Sequence, residues 1–415
     1  MKYKYLVFII GIIFGMYTLA LSHEAEETPE NNQKEERVEL RRGIPVGVTG
    51  ISYGERAMQR LVQQVMGTDE EANPNRLDDY MYRLRTRMIT DSNFIPFLVE
   101  TEYDTEEDLL TLQGHVMNPY HRDIPGIIFA HMGFKVQNNI QLLPDKEGLG
   151  EQLYAVQNSP TAYVYDQPDD HSEVVTQGLY GNHYFLLKKT GSYYFVHCDE
   201  GYLGYIHENS LQKFNEQEFT SYLNAPKAFL IKNIRIAEME LSAGSILKHL
   251  ESQEDTMQVQ LLNGDDIALP ADIALSPLEE VTENISDMLE FARTYLGTGY
   301  DWGGKASTGL DCSGFTQMIY RSQGIQLPRD SYQQFLTGKL IATPWYTAAL
   351  QPGDTLFFIS SNTGRIAHVA VGLGGPRFIH AEVPVVSINS LDPADDDFSS
   401  SRLESFFYGK RPYAR

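Results

Sequence analysis

Three residues in the last third of the chain have the types and the spacing that nucleophilic chemistry requires. Cys312 lies in the sequence GLDCSGF, directly before a run of helical character. His368 lies in AHVAV and His380 in FIHA, two segments whose composition is typical of strands. A cysteine followed by two strand-borne histidines supplies the parts of a Cys–His–X nucleophilic site. We therefore interpret the chain as a cysteine peptidase.

The position of Cys312 before a helix predicts a reactive thiol. The positive end of the helix dipole and the unpaired N–H groups of the first turn favour the thiolate and lower its pKa. The alternative is that Cys312 is a buried, inert cysteine and that His368 is a histidine of the core. The context Asp-Cys-Ser-Gly at a helix start favours the nucleophile.

The elements that must position these residues indicate an α+β multidomain fold. An amphipathic helix is predicted over residues 282–296, before the Cys312 helix, and strands carrying the histidines follow. From about residue 151, short strand candidates recur at close intervals and predict two small β-barrels. Residues 54–90 predict two helices, which the sequence NPN at 73–75 separates.

These changes along the 415 residues predict six segments. In chain order they are a signal peptide (1–22), an exposed linker (23–42), a partly helical N-terminal region of unknown role (43–150), a first β-barrel (151–222), a second β-barrel (223–278) and a peptidase domain (279–415).

Five ordered motifs of the last segment together closely resemble the NlpC-type cell-wall endopeptidases. They are YDWGG at 300–304, DCSGF at 311–315, LPR at 327–329, LQPGD at 350–354 and AHVA at 367–370. The first barrel resembles bacterial SH3-like domains, and the second matches them by position and length. The whole arrangement over 151–415 is similar to the dipeptidyl-peptidase VI-like γ-D-glutamyl-L-diamino-acid endopeptidases. The resemblance implies a papain-like catalytic domain behind two SH3-like barrels, and it does not cover 43–150.

The resemblance also implies roles for the three residues. Cys312 would be the nucleophile, His368 the general base and His380 the third polar residue that orients the imidazole of His368. Backbone N–H groups at the start of the Cys312 helix would hold the oxyanion.

The resembling endopeptidases act on peptidoglycan stem peptides with a free N-terminal L-Ala, whose ammonium group needs anionic and hydrogen-bonding partners. The residues that match their substrate-binding positions, or that we predict to bind substrate, surround the nucleophile and extend to the first barrel. They are Asp311 and Ser313 beside Cys312, Trp302 and Ser331 lining the pocket, Arg329 meeting a substrate carboxylate, and Glu173 and Tyr202 forming the barrel's wall of the groove. For Trp302 and Tyr202 the alternative is a core aromatic, and for Glu173 a solvated surface.

The composition excludes some classes of partner. Acidic residues outnumber basic ones by 56 to 33, which gives a net charge of −23. This charge repels nucleic acid and anionic membrane surfaces, so we predict peptidoglycan-derived peptides as partners and no nucleic acid.

The first residues predict export to the periplasm or cell envelope. A basic start, MKYK, an apolar run and the small residues Ala20 and Ser22 are typical of a cleaved signal peptide, after which no stable membrane insertion is expected. An uncleaved anchor is the alternative. The second cysteine, Cys198, lies in a strand pattern and is expected to be a free structural residue.

No cluster of ligand types with metal-binding spacing stands out, so we predict neither a metal nor a cofactor. The scattered histidines His115, His121 and His131 are expected to be ordinary surface residues. Two other functions stay open: a non-catalytic cell-wall-binding protein that uses its SH3-like domains, and an amidase or acyltransferase on the same papain-like scaffold.

Overall fold

The structure is a computed structural model that describes residues 53–275 and 284–412. The predicted signal peptide and linker lie outside the described residues. Within the described ranges, no helix is both long enough and apolar enough to cross a membrane.

The N-terminal region is an αβ unit in which helices cover a three-stranded sheet. The two predicted helices are present, and Asn73 caps the short turn between them. The sheet order is β1-β2-β3, with β1 and β2 antiparallel and β2 and β3 parallel. Its elements are α1 (Tyr53–Met66), α2 (Leu77–Met88), β1 (Phe97–Asp104), β2 (Leu109–Val116), α3 (Pro119–His131), β3 (Lys135–Leu142) and α4 (Lys146–Leu149).

The first β-rich unit is a seven-stranded antiparallel sheet with the order β10-β4-β7-β8-β9-β5-β6. Its apolar residues alternate towards a common core that includes Val164, Tyr184, Val196 and Ile206. Its strands are β4 (Tyr154–Gln157), β5 (Thr161–Tyr165), β6 (Val174–Leu179), β7 (His183–Thr190), β8 (Tyr193–Cys198), β9 (Leu203–His207) and β10 (Leu211–Phe214). Helix α5 (Glu216–Asn224), which no periodicity predicted, follows and begins with a capping box at Asn215.

The second β-rich unit is a five-stranded sheet with the order β16-β15-β14-β11-β17, beside a two-stranded ladder of β12 and β13. The elements are β11 (Lys227–Leu230), β12 (Ile234–Ile236), β13 (Met239–Leu241), β14 (Ile246–Ser252), β15 (Thr256–Gln260), β16 (Asp266–Pro270) and β17 (Ala274–Leu275).

The C-terminal unit packs helices on a six-stranded antiparallel sheet with the order β20-β25-β21-β22-β23-β24. Asn284 caps its first helix, which occupies the middle of the predicted amphipathic segment. The elements are α6 (Ile285–Arg293), β18 (Lys305–Ala306), β19 (Gly309–Leu310), α7 (Cys312–Arg321), α8 (Ser331–Phe335), β20 (Lys339–Ala342), β21 (Thr355–Ile359), β22 (Ile366–Gly374), β23 (Arg377–Ala381), β24 (Val386–Ser390), α9 (Ser400–Ser405) and β25 (Phe406–Arg411). The predicted helix-borne cysteine against an antiparallel sheet is confirmed.

The first β-rich unit is joined to the C-terminal unit by buried ion pairs. Lys305 Nζ lies 2.7 Å from Glu200 Oε2, and Arg321 Nη2 lies 2.8 Å from Asp199 Oδ2. Buried charges of this kind are stable only with close partners. The two units therefore meet in a defined orientation, directly beside the Cys312 helix.

Candidate active site

Cys312 is the first residue of α7, and the backbone around it is tightly held. The carboxylate of Asp311 caps the helix by accepting a hydrogen bond of 2.7 Å from the N–H of Gly314. A Cβ atom at Gly314 would lie 2.3 Å from the carbonyl oxygen of Gly304, so only glycine allows the helix to approach this loop. The short residues after Cys312 thus fix where the thiol stands.

The thiol of Cys312 is almost fully buried against Phe357 and Val369, and Val369 directly follows His368 on β22. Burial raises its pKa to about 12, and the charge of Asp311 acts in the same direction. The backbone N–H groups of Val369 and Ser313 favour the thiolate but do not offset these effects. The predicted lowering of the Cys312 pKa is therefore wrong, because desolvation outweighs the helix start. The resting cysteine is a neutral thiol that needs a base.

His368 and His380 are neighbours on adjacent strands, as the site requires. His368 Nε2 lies 2.7 Å from His380 Nδ1, and His380 Nε2 lies 2.8 Å from the Oδ1 atom of Asn389 on β24. Burial lowers the pKa of both histidines, that of His368 well below its ordinary value of 6.5. His368 is thus a neutral imidazole at neutral pH, the form that accepts a proton.

These pKa directions predict how alkylation of Cys312 by iodoacetamide varies with pH. Since the resting thiol is protonated, its thiolate fraction, and with it the alkylation rate, should rise about tenfold per pH unit between pH 7 and 9. The rate would be followed by mass spectrometry of the Cys312 peptide, with the Cys312→Ala variant as the blank. A rate independent of pH from 5 to 8 would instead indicate a resting thiolate–imidazolium pair.

Arg329 occupies a different place from the one predicted. It is 1 % exposed, so it does not meet a substrate carboxylate as expected from the sequence. Its guanidinium donates to both carboxylate oxygens of Asp311, to Ser313 Oγ at 2.8 Å and to Thr176 Oγ1 at 3.0 Å. Arg329 therefore holds the residues on both sides of Cys312 and ties them to the first β-rich unit.

The other predicted pocket residues of the C-terminal unit lie on loops and helix ends beside this network. Trp302 is 61 % exposed and follows Asp301, whose carboxylate accepts a hydrogen bond of 2.6 Å from Tyr163 of β5. Ser331 is half-buried and opens α8. The exposed indole of Trp302 is available to a ligand, so the alternative of a core aromatic does not hold for it.

The two residues of the first β-rich unit that we predicted to form a wall of the groove lie in different surroundings. Tyr202 is 3 % exposed and packs in the core of that unit, which agrees with the alternative of a core aromatic. Its hydroxyl alone reaches the C-terminal unit, where it contacts Asp330. Glu173 is exposed at the turn before β6, next to Val174, which packs on Gly303.

Several residues of the site were missed by sequence reasoning. Asn389 carries no motif and reaches His380 only because β23 and β24 pair, with His380 opposite Ser387. Tyr300 belongs to the YDWGG motif without a predicted role; burial first, and then the charges of Cys312, once it is ionised, and of Asp311, raise its pKa. Glu200 and Lys305 show no pattern that predicts their buried pair. Both cysteines are free, as predicted; Cys198 is buried, as predicted, and Cys312 is buried as well.

Within the described part of the chain, two groups of side chains place possible metal-ligand atoms within 4.8 Å of one another. One is His368, His380 and Glu382 at the site itself, and the other is the exposed cluster Asp169, Asp170 and His171. His115, His121 and His131 belong to neither group; His131 is exposed and the other two are half-buried.

Comparisons with known families agree with this geometry. Residues 297–399 match the model of the NlpC/P60 family, and residues 164–211 match that of the bacterial dipeptidyl-peptidase Sh3 domain. The two matched ranges contain the proposed catalytic residues and most of the first β-rich unit. The predicted order of an SH3-like domain before a peptidase domain is confirmed.

Similar proteins match more than half of the chain. The chain is 30% identical over 259 residues to dipeptidyl-peptidase 6 of Lysinibacillus sphaericus, covering 56% of this chain and 89% of that protein. It is 29% identical over 245 residues to a γ-D-glutamyl-L-lysine dipeptidyl-peptidase of Bacillus cereus, covering 53% and 72%. The crystal structure of an NlpC/P60 family protein from Bacillus cereus shares the fold, with a TM-score of 0.55 and 24% identity over 62% of this chain and 99% of that one.

Proposed function

We propose that this chain, which belongs to the NlpC/P60 family, is an exported peptidase that hydrolyses the bond between γ-D-glutamate and the diamino acid of peptidoglycan stem peptides bearing a free N-terminal L-alanine. The observation that carries the proposal is the buried set of Cys312, His368 and His380 with the first β-rich unit fixed beside it. The relatives named above as dipeptidyl-peptidases support the substrate class.

The chemistry begins from two neutral groups. Cys312 transfers its proton to His368 as its sulfur bonds to the amide carbonyl carbon, and N–H groups at the start of α7 hold the oxyanion. One such donor contributes roughly 3–4 kcal/mol to the stability of the transition state in other enzymes. The imidazolium of His368 then protonates the leaving amine as the C–N bond breaks. Water, deprotonated by His368, attacks the thioester and restores the thiol.

The pKa values of the two groups keep the proton on the sulfur until substrate binds. A thiol with a raised pKa is a poor proton donor in the resting enzyme, so the resting site does not hold two separated charges in an apolar place. Substrate entry brings the carbonyl group whose developing oxyanion the N–H groups of α7 would stabilise, and this makes the transfer favourable. The buried His380 keeps the imidazole of His368 in the orientation that this transfer needs.

The recognition of the substrate ammonium is proposed to involve Asp311, Ser313, Trp302 and Ser331, with Glu173 at the rim. Asp311 is already paired with Arg329, so its charge towards the pocket is partly neutralised. The exposed carboxylate of Glu173, on the first β-rich unit, supplies a second negative charge. A free ammonium between these groups would be stabilised, whereas an N-acyl group would lose the attraction and add bulk.

Cleavage of such peptides would place the protein in cell-wall turnover in the periplasm or envelope. Stem peptides still attached to glycan carry an acyl group on L-alanine, so a requirement for the free amine would restrict the enzyme to peptides already released from the sugar.

The test is hydrolysis of L-Ala-γ-D-Glu-meso-diaminopimelate beside its N-acetylated form, with the lysine analogue of each. We expect release of L-Ala-D-Glu from the free-amine peptides and at least a hundredfold lower kcat/KM for the acetylated ones, since the lost charge–charge and hydrogen-bond contacts amount to about 3 kcal/mol. Liquid chromatography with mass detection measures both.

The outcomes separate the parts of the proposal. Equal cleavage of free and acetylated peptides would retain the peptidase but contradict the amine-binding roles of Asp311 and Glu173. Cleavage of neither peptide, together with transfer of the acyl group to an added amine, would favour the acyltransferase alternative.

A further inference from the structure

The hydrogen bonds behind His368 continue past His380 to residues that no motif contains. We propose that Asn389, together with the ion pair of Glu382 and Arg402, sets the tautomers of both histidines, so that the Nδ1 atom of His368 is the free base offered to Cys312. The proposal rests on the catalytic roles proposed above for Cys312 and His368. Asn389, Glu382 and Arg402 act through His380 and are positioning residues.

The donor and acceptor roles in this series of hydrogen bonds follow from the orientation of the Asn389 amide. Asn389 Nδ2 donates to the backbone carbonyl of Asp397 at 3.2 Å, so the Oδ1 atom of Asn389 faces His380. An amide oxygen only accepts, and His380 Nε2 must therefore carry the proton. His380 Nδ1 is then an acceptor, and the His368 Nε2 atom 2.7 Å away is the donor. This leaves the lone pair of His368 on Nδ1.

One nearby group opposes this arrangement. Glu382 Oε2 lies 3.4 Å from His380 Nδ1, and a free carboxylate there would draw a proton onto that atom. A proton on His380 Nδ1 would make His368 Nε2 the acceptor and place the remaining proton of His368 on Nδ1. The base would then be blocked.

Arg402 counteracts Glu382. Arg402 Nε lies 2.8 Å from Glu382 Oε2, its Nη2 contacts the same oxygen, and the guanidinium lies 5.4 Å from the centre of the Phe358 ring. The carboxylate is thus neutralised on the side that faces His380. His380 itself is fully buried, so water does not supply an alternative partner to its ring.

The first experiment observes the tautomers directly. With 15N-labelled histidine, the nitrogen shifts of His368 should show Nε2 protonated and Nδ1 unprotonated in the resting protein, with the His368→Gln variant identifying the signals. The Asn389→Leu variant should lose this single tautomer and lower kcat at least tenfold with KM little changed. The measurement of nitrogen shifts does not require the proposed peptide to be the substrate. Its failure is therefore distinct from failure of the proposed function.

The conservative variant Asn389→Asp distinguishes positioning from packing. A carboxylate keeps the acceptor for His380 Nε2, so the tautomer and most of kcat should be retained. The substitution adds a negative charge near His380, where Glu382 is negative and Arg402 positive. The added charge favours the imidazolium. The acid limb of the kcat/KM profile should therefore move to higher pH. Equal losses in Asn389→Leu and Asn389→Asp with unchanged nitrogen shifts would overturn the proposal.

The ion pair is tested by a double-mutant cycle. Arg402→Gln should lower kcat and move the acid limb of the kcat/KM profile to higher pH, because Glu382 is then free to attract a proton to His380. Adding Glu382→Gln should restore much of the loss, since the opposing charge is gone. If the double variant is no better than Arg402→Gln alone, Arg402 acts only through packing on Phe358, and this part of the proposal is wrong.

A separate observation concerns the N-terminal region. Its segment Asp91–Phe94 inserts between the first β-rich unit and helix α8. The N–H of Leu203 donates to the carbonyl of Asn93 at 2.9 Å, and His197 Nε2 lies 2.8 Å from the carbonyl of Phe94. The ring of Phe94 stands edge to face with that of Tyr202, with 5.4 Å between centres.

The same segment contacts the first turn of α8, which carries Ser331. Asp91 Oδ2 accepts hydrogen bonds from Tyr332 Oη at 2.6 Å and from Gln333 Nε2 at 3.2 Å. The amide of Asn93 lies 3.2 Å from Tyr202 Oη and 3.4 Å from Asp330 Oδ2. We infer that Asp91 and Asn93 position Ser331, so that the N-terminal region determines substrate affinity at the proposed pocket. This inference rests on the proposed function.

The test compares Asp91→Ala and Asn93→Ala with Asn139→Ala, an exposed change on the edge strand of the same N-terminal sheet. KM for the free-amine peptide should rise roughly tenfold in the first two variants, because contacts that order α8 are lost. In these two variants kcat and the rate of Cys312 alkylation should stay unchanged. In Asn139→Ala, KM, kcat and the alkylation rate should all stay unchanged.

A double variant locates the effect. In a Ser331→Ala background, Asp91→Ala should no longer change KM if it acts through Ser331. Unchanged KM in both Asp91→Ala and Asn93→Ala would overturn the inference. Loss of alkylation together with activity would contradict it as well, because it would show that the segment supports the whole catalytic unit instead. Failure of the wild type to cleave the peptide would concern the proposed function, whereas the alkylation rates would still show whether the site is intact.

Discussion

Replacing Cys312 with alanine is expected to lower kcat/KM on the free-amine tripeptide by roughly 10⁴-fold or more, since loss of the nucleophile removes the covalent route altogether. The thiol is buried against Phe357 and Val369, neither of which is a nucleophile, so another side chain does not take its place. Single-turnover assays with the purified variant would measure the residual rate. The variant should keep the thermal midpoint of the wild type within a few degrees, because the change removes a single sulfur atom.

The matched controls use the other cysteine and the base. Cys198→Ser, a change in the core of the first β-rich unit, should keep activity, while His368→Ala should lose nearly as much as Cys312→Ala. Because the two groups act as a unit, the double variant should be hardly worse than either single one. Additive losses would mean that Cys312 and His368 contribute separately and that the proposed proton transfer does not occur.

The site residues that could be predicted from sequence are those whose role shows in the residues directly around them. Cys312 begins a helix, and His368 and His380 each lie between apolar residues of a strand, so each pattern is visible within a few positions. Asn389 and Glu382 reach the histidines only through strand pairing and a turn after β23. Sequence alone does not contain that register, and these residues were missed for this reason.

The wrong prediction for the Cys312 pKa has a related cause. A helix start is visible in sequence, but the degree of burial of one sulfur depends on Phe357 and Val369, from distant strands. The same holds for the N-terminal region. Its two helices followed from apolar periodicity, whereas the insertion of Asp91 and Asn93 between two other units is a tertiary contact without a local pattern.

The burial of Arg329 changes its expected role from binding substrate to stabilising the protein. Its motif position indicated a group that meets substrate, but the hydrogen bonds of its guanidinium go to Asp311, Ser313 and Thr176. We expect Arg329→Met to lower the free energy of unfolding by about 3–5 kcal/mol, because Asp311 would keep a buried charge without its partner. For a unit of this size the Tm would fall by roughly 6–20 °C in calorimetry.

The companion variant decides whether the missing charge partner is the cause. Asn at position 311 still caps the helix, so Asp311→Asn combined with Arg329→Met removes both charges while it keeps the hydrogen bond to Gly314. The double variant should recover most of the stability that Arg329→Met loses, whereas Asp311→Asn alone should be destabilised because Arg329 is then unpaired. An Arg329→Met protein within about 1 kcal/mol of wild type would show that water or a neighbour compensates Asp311.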